Sequence, residues 1–208
     1  MKRLPALWLC ADLDELAPLD LVARVASVIA TGTALVWLRS PPETPVRIVS
    51  EVAAALLSLQ SPPTALLVGD RVDVALAVGA HGVHLTEHSL LPADVRRLAH
   101  ALGRPDVLIS QAVHDAAGIA RARGFVDAMV LSPFGAVVGK GAALGPEAWG
   151  ALRRQAPEVF AVALGGIVDA GVVAAATSAG ADGVAVRRAL SGAVDPAVSC
   201  ALLRPAMP

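Results

Sequence analysis

Residues 158–190 read EVFAVALGGIVDAGVVAAATSAGADGVAVRRAL. One apolar run (159–166) ends in Gly165–Gly166, a small-residue stretch follows from about Asp169, and a second run (183–190) carries Arg187–Arg188. Runs that are apolar at nearly every position suit strands buried on both faces, and such strands belong to parallel sheets. The same unit recurs along the chain. Apolar runs occupy 6–12, 33–39, 64–70, 82–85, 107–113, 128–133, 159–166 and 183–190. Stretches with helical potential follow at 13–30, 43–59, 71–79, 91–102, 115–124, 146–156, 169–179 and 195–204. Eight such units in 208 residues predict a (β/α)8 TIM barrel spanning 1–208 as a single domain, with a doubly wound open sheet as the alternative.

In such a barrel all strand C-termini open on one face, where active sites lie. That geometry gathers residues scattered in sequence: Asp12, Arg39, Asp70, His114, Gly165–Gly166 and Arg187–Arg188. Loops after the seventh and eighth strands of these barrels often hold phosphate. Glycine lets a backbone N–H approach an anion closely, and a helix N-terminus adds favourable partial charge. Gly165, Gly166 and Ile167 are therefore candidate phosphate-binding residues, together with Arg187 and Arg188. Adjacent strand residues point to opposite faces, so one of the two arginines is expected to face the site.

Composition bounds the function. The chain is 55% hydrophobic and 3% aromatic, without Tyr, and 17 basic residues face 18 acidic ones. No basic excess exists to hold nucleic acid. Mean hydropathy is +0.63, yet the most apolar stretch, 21–38, is broken by Arg24 and Gly32. Asp12 and Asp14 come too early for a signal peptide. A soluble, cytoplasmic protein without membrane contact is expected, with Cys10 and Cys200 as free thiols. A homo-oligomer is expected from the Ala/Val-rich exterior. The five histidines show no metal-ligand spacing.

Three segments carry a family resemblance: LLVGDRVDVALAVGAHGVHL (66–85), ISQAVHD (109–115) and VALGGIVDAGVVAAATSAGADGVAV (162–186). Over residues 34–190 the chain resembles the thiamine-phosphate synthase/TenI family, barrels that bind a thiazole phosphate at the mouth. The resemblance implies two branches. Synthases join a pyrimidine diphosphate to the thiazole phosphate with Mg2+. TenI-type proteins include a thiazole tautomerase that needs no cofactor.

Against the synthase pattern this chain departs at several positions. Gln-x-Arg-x-Lys becomes Trp37-Leu38-Arg39-Ser40-Pro41, and Asn-Asp becomes Gly69-Asp70. The second metal-ligand Asp falls on Ser89, with Glu87 and His88 as substitutes in reach. The Ser after the fifth strand falls on Ala112, and Thr-x-Thr-Lys on Val137-Val138-Gly139-Lys140. An Ile-Ser pair becomes Arg187-Arg188. On these residues the resemblance implies a TenI-like tautomerase, an isomerase in thiamine biosynthesis. His114 is its catalytic acid/base, with Arg39, Asp70 and Lys140 binding substrate and no metal. Histidine titrates near neutrality and suits a proton shift. The alternatives are a divergent Mg2+-dependent synthase using Asp70 as metal ligand, and a non-catalytic thiazole-phosphate-binding regulator. Asp70 is also expected to pair with Arg39 or Arg71, and Trp37 to fill space near the mouth.

Overall fold

A computed structural model of the protein describes residues 4–139 and 141–205. The chain runs β1 (Leu7–Asp12), α1 (Pro18–Ile29), β2 (Leu35–Arg39), α2 (Val46–Leu57), β3 (Ala65–Gly69), α3 (Val72–Ala77), β4 (Gly82–Leu85) and α4 (Pro92–Ala101). It continues β5 (Leu108–Val113), α5 (Ala116–Ala122), β6 (Ala128–Leu131), α6 (Gly145–Arg153), β7 (Phe160–Leu164), α7 (Ala170–Ser178), β8 (Gly183–Val186), α8 (Arg188–Ser191) and α9 (Pro196–Leu202). The strands pair in parallel in chain order and β8 closes on β1, so the open-sheet alternative is excluded. The expected eighth run stops at Val186, because Arg188–Ser191 turn into the short helix α8.

Strand alternation divides the core into two parts. Leu7, Leu9, Val36, Leu38, Leu66, Val68, Ile109 and Leu131 face outward against the helices. Trp8, Cys10, Leu35, Trp37, Leu67, Leu108, Val130, Phe160 and Val162 fill the barrel interior. Trp8 stacks on Phe160 at 6.4 Å, and its Nε1–H donates to the Pro5 carbonyl at 2.9 Å, so its one polar atom is satisfied. Burial pushes the Cys10 thiol up to about 12, which keeps it protonated.

Ion pairs pin the base of the barrel. Asp127 Oδ2 accepts from Ile109 N–H and from Arg96, both at 2.8 Å. Asp182 Oδ2 does the same for Ala161 N–H and Arg153. Helices α5, α7 and α9 each start on an aspartate whose side chain accepts from a first-turn N–H: Asp115, Asp169 and Asp195. No helix among the described residues is long and apolar enough to cross a membrane.

Closing eight strands leaves little interior room. A Cβ on Gly82 would stand 2.1 Å from the carbonyl oxygen of Leu108, its β5 partner. Gly79, by contrast, has nothing within 4 Å but sits at φ +74°. Gly82→Ala is therefore expected to cost about 3 kcal/mol, since backbone must shift, and Gly79→Ala only about 1 kcal/mol, the left-handed penalty. Urea midpoints of the two variants check the order.

Candidate active site

The mouth is the ring of strand C-termini. Inward-facing positions follow from parity: Asp12 continues Trp8 and Cys10, Arg39 continues Leu35 and Trp37, and Arg187 continues Ala185. Of the two arginines, then, Arg187 faces the mouth. Arg188 opens α8 and is exposed.

Arg39 and Arg187 meet on one carboxylate. Asp12 is fully buried, and its Oδ2 takes Nη1–H from Arg39 and, at 3.4 Å, from Arg187. Asp12 Oδ1 accepts from Asp14 N–H at 3.1 Å. Arg187 Nε also lies 3.2 Å from Glu15 Oε1, and Glu15 accepts a hydrogen bond from Ser191. β1, β2, β8 and α8 are thus joined at the seam. Burial opposes the Arg39 charge, but Asp12 more than offsets it, and the guanidinium is held above its ordinary pKa.

Asp70 does not pair with Arg39 or Arg71, contrary to expectation. Arg71 binds Asp73. Asp70 stands at φ +55°, a strained value outside glycine that Asp tolerates better than most. Its N–H donates to the His84 carbonyl at 2.9 Å, and its Oδ1 accepts from Thr86 N–H at 2.9 Å and from the Ser89 hydroxyl. Glu87 lies 3.5 Å from Arg121 on α5, and His88 is exposed. Among the described residues no three His, Cys, Asp or Glu side chains group to hold a metal. Mg2+ is usually held by one or two carboxylates together with water and substrate phosphates. Asp70 offers one carboxylate, whose Oδ1 already accepts from the Ser89 hydroxyl and from Thr86 N–H.

Beneath Asp70, the indole of Trp37 lies on the imidazole of His84, centroids 3.7 Å apart. A Cβ at Gly69 would come within 2.9 Å of Trp37 Nε1, so the indole needs a glycine there. His84 is buried and bonds Ser110 Oγ through Nδ1 at 2.8 Å. Its Nε2 and Trp37 Nε1 find no hydrogen-bond partner among the described residues. Burial pushes the His84 pKa down to about 3, Asp70 opposing only weakly.

His114 follows β5 on the rim. Its Nδ1 is 2.8 Å from the Ser132 carbonyl, which fixes Nδ1 as the protonated nitrogen and leaves Nε2 as an acceptor. The Gly165–Gly166 turn carries φ of +95° and +69°. A Cβ on Gly166 would meet Gly135 backbone at 2.7 Å, and Gly135 N–H donates to the Gly165 carbonyl at 2.8 Å. Packing against the β6–α6 loop thus demands these glycines whatever ligand they meet. Among the described residues no backbone carbonyl accepts from Gly166 or Ile167 N–H. The side chain of Ile167 is buried in the outer core. Lys140 lies outside the described residues. A hollow at the opposite end, lined by Leu4, Thr64, His81 and Arg104, holds none of the candidate residues.

The sequence already places Asp12 at the mouth, but Glu15, three residues on in the turn after β1, is not among the expected residues. Their partners come from β2 and β8, which only closure of the barrel brings near.

Comparison with known proteins places these features. The family model for thiamine monophosphate synthase matches residues 9–190. A thiamine-phosphate synthase of Azorhizobium caulinodans is 37% identical over 195 residues, covering 91% of this chain and 89% of the relative. One of Xanthobacter autotrophicus is 34% identical over 205 residues, covering 97% and 94%. The solved thiamine phosphate pyrophosphorylase of Pyrococcus furiosus superposes with a TM-score of 0.79 at 23% identity, covering 95% and 93% of the two chains, a likeness of fold. These relatives overturn the expectation of a TenI-like tautomerase. They are named as synthases, transferases rather than isomerases, and nothing points to the TenI branch.

The His84 environment gives a pH signature. Unfolded, the imidazole titrates near its ordinary 6.5; folded, it stays neutral down to about 3. The unfolded state alone takes up a proton between these values, so stability is full above pH 6.5 and falls as pH drops toward 3. Between pH 7 and pH 5 the His84 contribution is expected to fall by about 2 kcal/mol. Denaturant melts at the two pH values, repeated on His84→Asn, check this: the variant should lose that share of the pH dependence.

Proposed function

The chain belongs to the thiamine monophosphate synthase family, and from that premise we propose that it is a transferase joining a pyrimidine diphosphate to a thiazole phosphate. The pyrimidine-bearing carbon bonds to the thiazole and parts from its diphosphate, which leaves with the electron pair. The observation that carries the reading is the turn at 165–167. Two left-handed glycines leave the N–H groups of Gly166 and Ile167 without a backbone acceptor beside the start of α7. Such N–H groups suit a phosphate monoester. The thiazole phosphate is assigned there, with Lys140 as a further contact.

The diphosphate half lies across the mouth. Arg39 supplies its cation at the end of β2, and His114 offers Nε2 to the substrate from the end of β5. Asp70 lies at the end of β3 on the same side, and its carboxylate is the one that would serve there as a substrate contact or as a ligand of Mg2+ carried with the diphosphate. The same reading puts the enzyme in the cytoplasm, consistent with free, buried Cys10 and Cys200. It also makes it a homo-oligomer, supported by the exposed Leu19, Val194, Val198 and Leu202.

The test is direct coupling. Purified protein is given the pyrimidine diphosphate and the thiazole phosphate, and thiamine phosphate and released diphosphate are measured with and without chelator. Stoichiometric appearance of both products supports the reading. Thiazole-phosphate binding without product points instead to the non-catalytic regulator. Within the proposed site, Gly166→Ala clashes with Gly135 backbone, so KM for the thiazole phosphate is expected to rise about tenfold, roughly the loss of one charge-assisted hydrogen bond.

A further inference from the structure

The base of the barrel repeats one device three times. Asp127 stands immediately before β6, and Asp182 immediately before β8. Their carboxylates accept the N–H of the second residue of the preceding strand, Ile109 in β5 and Ala161 in β7, each at 2.8 Å. An arginine neutralises each carboxylate: Arg96 from α4 and Arg153 from α6. His81 holds the same place before β4. Its Nδ1 accepts the N–H of Leu66, the second residue of β3, at 3.1 Å. Its own carbonyl accepts from Leu108 N–H at 2.9 Å, so this residue joins the starts of β3, β4 and β5. Leu66, Ile109 and Ala161 are all fully buried, and a buried N–H left without an acceptor is costly.

The third acceptor differs in kind. A carboxylate accepts hydrogen bonds while ionised, ordinarily down to about pH 4. A neutral imidazole has one acceptor nitrogen. With Nδ1 taking Leu66 N–H, the ring proton sits on Nε2, and a second proton can go only to Nδ1. Protonation thus turns the acceptor into a donor that faces another donor. The cation beside this site is Arg104, whose guanidinium donates to the Ala80 carbonyl at 2.9 Å. Such a cation favours a carboxylate's charge and opposes an imidazolium. His81 lines a hollow of about 400 Å3, where Arg104 and Asp106 are the charged groups among the described residues, and Asp106 acts on the ring in the opposite sense. Burial first, and then Arg104, hold the ring below its ordinary 6.5. The released ring therefore takes up a proton more readily than the bound one. The bond is fully present above pH 6.5 and is lost as the pH falls below it.

We propose that His81 is an acid-released latch at the closed end of the barrel. Neutral, it clamps the start of β3 to β4. Charged, it lets go of Leu66 and turns into the hollow, while the aspartate latches on β5 and β7 stay shut. The latch lies at the end of the barrel away from the mouth and is independent of the reaction proposed there.

Native-state hydrogen exchange on the 15N-labelled full chain tests it, with protection factors corrected for the intrinsic effect of pH. From pH 7.5 to pH 5.0 the Leu66 amide should lose about fivefold or more of its protection relative to the Ile109 and Ala161 amides, the worth of one hydrogen bond. Taking the ratio removes any loss of global stability that the three amides share. His81→Asp copies the other two sites and places a carboxylate beside Arg104, so its ratio should be the same at both pH values. A ratio that stays constant in wild type, or that falls equally in His81→Asp, overturns the latch. Long-range 15N–1H spectra of the wild-type imidazole need no variant. Above pH 7 the ring proton should be on Nε2, and a proton on Nδ1 overturns the latch.

Discussion

A carboxylate cannot be buried alone. Stripped of water, it must be met by positive charge, or it costs several kcal/mol. Asp12 is wholly buried at the one place where the two ends of the barrel meet, and arginines from both sides satisfy it: Arg39 at the end of β2 and Arg187 at the junction of β8 and α8. Asp12 thus does two things at once. It makes closure of β8 onto β1 a condition for its own neutralisation, and it sets the direction of the two cations at the mouth. Removing either arginine would leave the carboxylate half-compensated, so this seam ties stability and site geometry to the same atoms.

Next to the seam, Trp37 and Gly69 are one physical change rather than two. The resemblance has Gln and Asn at these positions. Here an indole lies across the β3 backbone onto His84, and only a glycine leaves room for it. The exchange replaces two hydrogen-bonding side chains by an aromatic stack in a dry environment, which in turn keeps His84 neutral. Asp70, just above, accepts from the Ser89 hydroxyl and from Thr86 N–H. The metal-site departures at 69 and 89 and the diphosphate-site departure at 37 therefore share a cause: this side of the mouth has been rebuilt around packing and neutral hydrogen bonds.

The barrel was legible because closed parallel sheets bury both strand faces, and the observed strands fall inside the apolar runs, with ends moved by a residue or two or, at the eighth, by four. The seam was not legible in the same way. Parity settles which strand residues face inward, and it separates Arg187 from Arg188. It does not tell where a long side chain goes once inside, and the partners Asp12, Arg39 and Arg187 are far apart in sequence. The isomerase expectation failed for a related reason. His114 suits a proton shift by its chemistry, but the family has a histidine there in both branches, so its presence could not choose between them. What did choose was similarity along the whole chain.

The two halves of the mouth now follow different rules. On the β7 side, a phosphate meets backbone N–H groups on glycines that packing against Gly135 already requires, so the site adds little cost to the fold. On the β1–β8 side, Arg39 and Arg187 are held on the buried Asp12, with Glu15 on the Nε edge of Arg187 and Asp14 within electrostatic reach of Arg39, so opening the seam there would leave a buried carboxylate without its cations.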